Sequence, residues 1–203
     1  MTRENIFDGP EGSTLVEEDQ KPSLINPAIS TRSELDGAEQ SNIIKATLWL
    51  DLTNIRTEDL LTQRQFQFIH TKMFEDVWHW AGEFRTRETN IGVNPREIPF
   101  KIVDLCRDLQ AMLADTTDSK FSKNEIAIRF HHKLVLIHPF VNGNGRHSRL
   151  VTDKLLTNIG ERKFTWGIST YPERESLRAA YLSALRVADS QFEYMPLLDF
   201  AQS

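Results

Sequence analysis

The segment 138–149, with the sequence HPFVNGNGRHSR, constrains the fold strongly because it has to end one helix and begin another. Pro139 disfavours helical geometry at the residue before it, so a helix that reaches His138 stops there. Gly143 and Gly145 remove side-chain bulk from the backbone that follows. The segment therefore predicts a tight loop between two helices, with the second helix beginning near residue 143 or 144.

The start of that second helix has the properties of an anion site. Its first amide groups have no partner inside the helix, and the helix dipole adds positive potential there. Arg146 and Arg149 are three residues apart, so their guanidinium groups lie near one another and suit phosphate oxygens. His138 stands just before the loop, where an imidazole can take a proton from an attacking hydroxyl near neutral pH. These residues together indicate phosphate chemistry, although each alone also has a structural interpretation, as a core histidine or a surface ion-pair partner.

Most of the remaining chain is predicted to be helical, so the fold class is mainly α. Between the predicted helices, residues 83–99 lose helical spacing and contain Gly92 and Pro95, which predicts two short extended pieces and a small β-hairpin flap. Residues 1–30 are rich in proline, glycine and polar residues, which predicts an irregular arm. Apolar spacing and capping residues predict helices over 31–50, 58–80, 100–114, 123–136, 143–159, 173–188 and 193–201. Thr57 is the predicted cap of the second helix, and Val103 is among the predicted inward residues of the third.

Composition argues against several functional classes. The formal net charge is −5 and no basic stripe is visible, so direct nucleic-acid binding is not expected. Cys106 is the single cysteine, so no internal disulfide can form, which fits a reducing compartment. The first twenty residues lack the pattern of a signal peptide, and no apolar run approaches the roughly 18 residues that a membrane span needs. We therefore expect a cytoplasmic protein without a membrane contact.

The segment 138–149 resembles the signature of Fic proteins, which is His-x-Phe-x-(Asp/Glu)-Gly-Asn-Gly-Arg-x-x-Arg. Every specified position except Asn142 is matched. The segment 80–85, WAGEFR, resembles the sequence that leads into the Fic flap, and 38–43, AEQSNI, resembles the subgroup called mobile mystery protein B. The resemblance covers roughly residues 57–200. It implies a Fic-type helical fold, with a Fic (Fido) domain at 57–203 and an N-terminal arm and helix at 1–56 as a possible regulatory element.

The resemblance also implies a reaction. Fic enzymes usually transfer AMP from ATP to a Ser, Thr or Tyr hydroxyl of a target protein and release pyrophosphate, with Mg²⁺ at the phosphates. By this resemblance His138 is the catalytic base, and the flap docks the target as an added strand. The residues implied to bind phosphate or nucleotide are Gly143, Asn144, Gly145, Arg146, Arg149, Tyr181, Leu185 and Asp189, and those implied to dock the target are Thr89, Asn90, Ile91 and Gly92.

Two positions bear on metal binding and regulation. The family usually has Asp or Glu where Asn142 stands, and a neutral amide oxygen is a weaker Mg²⁺ ligand than a carboxylate. Many Fic proteins are inhibited by a helix whose glutamate pairs with the second motif arginine, here Arg149. Glu39 is the candidate, with a partial match because Leu35 and Gln40 replace the usual neighbours. A separate antitoxin-like partner that supplies the glutamate is the rival interpretation.

Three functions remain open from the sequence. The first is protein AMPylation. The second is another reaction at the same site, such as transfer of UMP, phosphocholine or phosphate, or removal of AMP. The third is a nucleotide-binding regulatory module that does not catalyse, which Asn142 would favour if it prevents metal binding.

Overall fold

The computed structural model describes residues 22–29, 31–114 and 120–203 of the chain, and these residues are mainly helical. Within them the only β pairings are two isolated bridges, Leu24 with Trp78 and Phe84 with Phe140. A short 3-10 turn, Pro95–Glu97, precedes the fourth helix. The helices are α1 (Arg32–Leu52), α2 (Thr57–Leu60), α3 (Gln63–Phe74), α4 (Ile98–Ala114), α5 (Lys123–Ile137), α6 (Asn144–Asn158), α7 (Arg174–Gln191) and α8 (Met195–Gln202).

The helix–loop–helix unit predicted from 138–149 is present. The Ser122 hydroxyl accepts a hydrogen bond from the Glu125 amide and starts α5. That helix stops at His138, whose φ of 51° and ψ of 60° place it in the left-handed region. Gly143, with φ of 74°, precedes α6, and a Cβ at this position would lie 2.4 Å from the ring of Phe74. Only glycine fits there, so α6 begins where the sequence predicted.

Helix α1 begins as predicted and packs mainly on α3. The Thr31 hydroxyl and the Glu34 carboxylate form a reciprocal capping box at its first turn. Asn42 then joins the two helices: its side-chain amide donates to the carbonyl of Lys72, and its Oδ1 accepts from the amide of Asp76. This buried side chain thus satisfies the carbonyl of Lys72 in the last turn of α3 and the amide of Asp76 just beyond that helix.

The single helix predicted over 58–80 is wrong, because two short helices occupy that range. Thr62 interrupts it, since its hydroxyl accepts a hydrogen bond from the Gln65 amide and caps a new helix, α3. Helix α3 ends at Phe74, and turns lead to Gly82, which has φ of 85°. The predicted cap at Thr57 is also wrong, since Arg56 precedes α2 and Thr57 is its first residue.

The predicted inward position of Val103 in α4 is wrong, since this side chain is 58% exposed. The helix begins at Ile98, two residues before the predicted start. Its buried stripe runs through Ile98, Ile102, Leu105 and Leu109 together with Cys106, and Val103 lies outside that stripe.

The predicted hairpin is not observed within the described range 83–99. Phe84 forms its bridge with Phe140, the Arg85 amide donates to the carbonyl of Pro139, and the Val93 amide donates to the carbonyl of Ile137. Both ends of this segment therefore pair with the loop after α5, because that loop offers free backbone groups. We call residues 86–94 the flap loop. The predicted arm at 1–30 lies outside the described residues except for 22–29, where Leu24 bridges to Trp78.

No helix within the described ranges is long and apolar enough to cross a membrane.

We predict that Asn42→Ala destabilises the fold, because it leaves the partly buried carbonyl of Lys72 and amide of Asp76 without this partner. The expected loss is about 2 kcal/mol in the free energy of unfolding, measured by urea denaturation. Ser41→Ala, an exposed neighbour on α1, is the matched control and should change little. Equal midpoints for Asn42→Ala and the wild type would contradict the bridging role.

Candidate active site

His138 is a buried imidazole with no hydrogen-bond partner. The residue is 6% exposed, and neither Nδ1 nor Nε2 has a partner although both are buried. Burial lowers the pKa of His138 to about 4, with a smaller contribution from the positive charge of Arg85. The ring is therefore neutral near pH 7 and has one nitrogen lone pair ready to accept a proton. An unsatisfied buried polar group of this kind indicates a ligand or substrate position.

Arg85 holds the backbone around His138. Its guanidinium donates from Nε to the carbonyl of His138 at 2.6 Å, from Nη1 to the carbonyl of Arg87 at 2.9 Å, and from Nη2 to the carbonyl of Val93. The side chain is 97% buried, since the residue is only 3% exposed. It lies against the carbonyl end of α5, where the helix dipole favours a positive charge. One side chain thus connects the end of α5 with two points of the flap loop.

The flap loop lies directly against His138. A Cβ at Gly92 would be 2.7 Å from the Cβ of His138 and 2.6 Å from Nη2 of Arg85, and Gly92 has φ of 111°. No side chain fits at this position. The other three residues predicted to dock a target, Thr89, Asn90 and Ile91, form the neighbouring part of the loop, and Asn90 and Ile91 are exposed.

The loop between His138 and α6 is held by side-chain amides. Oδ1 of Asn144 accepts from the Phe140 amide and its Nδ2 donates to the Phe140 carbonyl, so both polar atoms of Asn144 are occupied inside the protein. Nδ1 of His70 accepts from the Gly82 amide, so Nε2 carries the proton and donates to the carbonyl of Asn142 at 3.1 Å. Of the predicted phosphate ligands, Asn144 can therefore contribute its backbone but not its side chain.

Arg146 is already paired with an acid. Its Nη1 donates to Oε2 of Glu39, which is 3% exposed, and Oε1 of the same carboxylate accepts from the indole of Trp78 at 2.8 Å. The predicted pairing of Glu39 with Arg149 is therefore wrong. Helix α1 passes the first turn of α6 on the side of Arg146, whereas Arg149 lies one turn further along.

Arg149 faces α7. Its guanidinium lies 5.4 Å from the centre of the Tyr181 ring, and Nε donates to the carbonyl of Gly145. No carboxylate is within ion-pairing distance of Arg149 in the described part of the chain. Arg178, which the sequence did not single out, lies close enough for the charge of Arg149 to lower its pKa, an effect second to that of burial. Arg149 and Arg178 thus place two positive charges next to each other beside the start of α6.

The three predicted nucleotide residues of α7 have different surroundings. The Tyr181 hydroxyl is bonded to Nε2 of His131 at 2.9 Å and lies 3.7 Å from where a Cβ of Gly145 would be, so it contacts the start of α6. Burial raises the pKa of Tyr181 to about 12, so the phenol is neutral. Leu185 is part of the core. Oδ1 of Asp189 lies at hydrogen-bonding distance, 2.7 Å, from Nε2 of His132. Of these three residues, Tyr181 is the one that lies near Gly145 at the start of α6.

The residues present do not form a metal site by themselves. Oδ1 of Asn142, the one candidate ligand from the sequence, accepts a hydrogen bond from the Gly143 amide at 2.7 Å. Among the described residues no group of three or more His, Cys, Asp and Glu side chains is placed to hold a metal ion. A neutral oxygen that already accepts a hydrogen bond does not match the carboxylates that Mg²⁺ prefers.

Sequence reasoning missed the supporting residues, namely Arg85, His70, His131 and Arg178. Their contacts join segments that are distant in the sequence: His70 and Asn142 are 72 residues apart, Arg85 and His138 are 53 apart, and His131 and Tyr181 are 50 apart. Arg85 was visible only as the end of the WAGEFR segment. The one signal in the sequence was the position of Arg85, which follows Gly82 and precedes an irregular segment and so does not belong to a predicted helix.

Comparison with known proteins identifies a family. The model of the Fic/DOC family matches residues 60–156. The protein adenylyltransferase Fic of Aedes aegypti is 30% identical over 139 residues, which are 65% of this chain and 28% of that protein. The protein adenylyltransferase fic-1 of Caenorhabditis elegans is 30% identical over 109 residues, which are 54% of this chain and 20% of that protein. The chain thus spans less than a third of the length of these relatives.

Solved structures show the same fold. BepC of Bartonella tribocorum, solved with bound AMPPNP, superposes with a TM-score of 0.67 at 16% identity, over 100% of this chain and 97% of that one. Fic-1 of C. elegans superposes with a TM-score of 0.66 at 23% identity, over 88% of this chain and 50% of that one. The predicted mainly helical, Fic-type fold is confirmed.

The buried histidines predict that acid destabilises the protein. Burial lowers the pKa to about 3 for His131 and about 4 for His138 and His147, and it lowers the pKa of His70 well below its ordinary value. The unfolded chain therefore binds protons between pH 6.5 and 4 that the folded chain does not, so this stability is complete above pH 6.5 and is lost as the pH falls. Asp153, whose pKa burial raises to about 6, opposes the trend with one group.

Urea unfolding at pH 7.5 and 5.5 measures this effect, and we expect a loss on the order of 1 kcal/mol per buried histidine. His147→Gln, which keeps a donor for the Phe66 carbonyl, should reduce the difference between the two pH values. His79→Gln, at an exposed position, should not. Equal stability at both pH values would contradict the neutral, buried state of these rings.

Proposed function

Because the chain belongs to the Fic/DOC family, we propose that it is a protein adenylyltransferase, which transfers AMP from ATP to a Ser, Thr or Tyr hydroxyl of a target protein. The observation that carries the proposal is the neutral His138 imidazole, which has no partner and stands one loop before the amide end of α6. The names of the relatives from A. aegypti and C. elegans support the same activity.

The proposed step needs a base and an anion site next to each other. Nε2 or Nδ1 of His138 takes the proton of the target hydroxyl, and the hydroxyl oxygen bonds to the α-phosphorus of ATP. The bond from the α-phosphorus to the bridging oxygen of the β-phosphate breaks, and pyrophosphate leaves. The proton remains on His138 until solvent removes it. Because such transfers depend mostly on position and charge, the surrounding scaffold carries much of the catalysis.

We assign the phosphates to the amides of Asn144 and Gly145 at the start of α6 and to Arg149. The Gly143 amide joins them once it leaves Oδ1 of Asn142, and Arg146 joins them once it is released from Glu39. Tyr181 lies against this loop and is the residue of α7 that we assign to the nucleotide. Leu185 and Asp189 have the supporting role of holding α7 against the core and α5. Mg²⁺ belongs to the proposal as an ion carried by the nucleotide phosphates, to which Asn142 adds no charged ligand.

The flap loop is the proposed docking site for the target. Asn90 and Ile91 are exposed, and the loop already lies in contact with His138 through Gly92. An extended target segment beside this loop brings its hydroxyl towards the imidazole, as in other cases of strand addition.

The test is labelling with α-labelled ATP and Mg²⁺, read by intact mass, for the wild type and for His138→Ala. We expect the mass of one AMP on the chain itself or on a target, and a loss on the order of 100-fold or more in the variant. His79→Ala, at an exposed position, is the matched control. Another added mass would indicate the second function, such as transfer of UMP or phosphocholine. ATP binding without any labelling would favour a regulatory nucleotide-binding module.

We also propose that Glu39 restrains the site and that residues 1–56 act as a regulatory element in front of a Fic domain at 57–203. The carboxylate is buried between Arg146 and the Trp78 indole, so it occupies the charge that the phosphates need. A buried ion pair of this kind is costly to break by removing one partner, which suits a stable resting state.

Two variants test this restraint. Glu39→Gly removes the carboxylate, and Glu39→Gln keeps an acceptor for the Trp78 indole while removing the charge; both should raise labelling, by roughly tenfold if Arg146 gains about 1.4 kcal/mol of phosphate contact. Asp36→Asn, one turn earlier on α1, should leave labelling unchanged. Unchanged labelling in both Glu39 variants, with an intact fold, would exclude self-inhibition and favour a separate regulatory partner.

A further inference from the structure

We propose that Arg85 is a positioning residue that couples the flap loop to His138, so that occupation of the flap by a target aligns the base. This inference rests on the proposed function, because it concerns how the same site meets its target. Arg85 is 3% exposed and has no ion pair with an acid in the described residues. Its hydrogen-bond acceptors among the described residues are backbone carbonyls, namely those of His138, Arg87, Val93 and, at 3.5 Å, Ile137.

The four acceptors belong to two segments, the end of α5 and the flap loop. Ile137 and His138 form the end of α5, and Arg87 and Val93 lie on the two sides of the flap loop. A guanidinium is planar and carries its donors in a fixed fork, so it fixes the relative position of both segments at once. A lysine ammonium keeps the charge but is a single point, and it cannot hold both segments in one geometry.

Burial makes the arrangement sensitive to its acceptors. A guanidinium that loses a carbonyl inside the protein leaves charge and donors unsatisfied, which is costly in a medium of low polarity. If the flap loop shifts, Arg85 must follow or lose its bonds to Arg87 and Val93. Because the same guanidinium donates to the carbonyl of His138, its movement changes the backbone position of the base.

Steric contact strengthens the coupling. The backbone of Gly92 leaves no room for a Cβ between Nη2 of Arg85 and the Cβ of His138. A force on the flap loop at this point therefore reaches the histidine both through packing and through the hydrogen bonds. None of these contacts involves Arg149, Tyr181 or the amides of α6, so the coupling leaves the proposed nucleotide site alone.

The experiment uses the full chain with Arg85→Met and Arg85→Lys. We expect the labelling rate to fall on the order of 100-fold in both, since a displacement of about 1 Å at a reacting group has that effect. Binding of ATP, measured by calorimetry, should stay within about twofold of wild type, because the affinity depends on groups that Arg85 does not touch. Hydrogen exchange of the amides of Arg85 and Val93, which bond to the loop after α5, should become faster.

Lys154→Met is the matched control for stability. Lys154 is a second buried cation that donates to a backbone carbonyl, that of Thr53, outside the site. This variant should lose stability but keep its labelling rate. If Arg85→Met does not fold, Arg85→Lys and Gly92→Ala test the same coupling, because Gly92→Ala presses on both Arg85 and His138 while leaving the charge in place.

A wild-type labelling rate in Arg85→Lys would overturn the proposal, as would a loss of ATP affinity as large as the loss of labelling. Failure of the proposed function is separable from failure of the coupling. If wild-type protein does not label any target, the NMR signal of the His138 ring still reports its surroundings, among six histidines in the chain. If neither the NMR signal of the His138 ring nor the hydrogen exchange of the flap-loop amides changes in Arg85→Lys, the coupling is overturned. If both change and the rest of the protein does not, the coupling is supported.

Discussion

The site depends on one interaction, the pairing of the Asn144 side chain with both backbone groups of Phe140. This pairing closes the loop after α5 into a compact turn, so His138 and the first amides of α6 are held on either side of it. Phe140 then stacks on His70 with ring centres 3.7 Å apart, and His70 bonds to the carbonyl of Asn142. The loop is thus fixed by the side-chain amide of Asn144 and by the stacking of Phe140 on His70.

Several arginines lie around this loop, and α1 brings one buried acid to them. Arg85, Arg149 and Arg178 are all partly or fully buried, and burial lowers the pKa of each. Glu39 is the buried carboxylate that meets this group, and it does so at Arg146. Positive charge therefore predominates among the side chains around this loop, and Glu39 neutralises part of it at Arg146.

The sequence predicted the parts of the site whose cause is local. The end of α5 at His138, the start of α6 after Gly143 and the start of α1 at Thr31 follow from Pro139, Gly143 and Thr31 themselves. It failed where a distant group competes with the local one. The flap segment pairs with the loop after α5 and not with itself, and Glu39 meets Arg146 because of how α1 crosses α6. The supporting roles of His70 and Arg85 depend entirely on such distant contacts, so the local pattern could not give them.

The packing of the flap loop restricts some of its positions to one residue type and leaves others open to substitution. Gly92 touches the base and the guanidinium behind it and admits no side chain, whereas Asn90 and Ile91 face solvent and contact neither. Changes at the exposed positions can thus alter the surface that the loop presents to solvent while Gly92 keeps the packing around the imidazole as it is. Under the proposed docking role, Asn90 and Ile91 can therefore vary during evolution as the target proteins change. Gly92 must remain glycine, because it packs against His138 and Arg85.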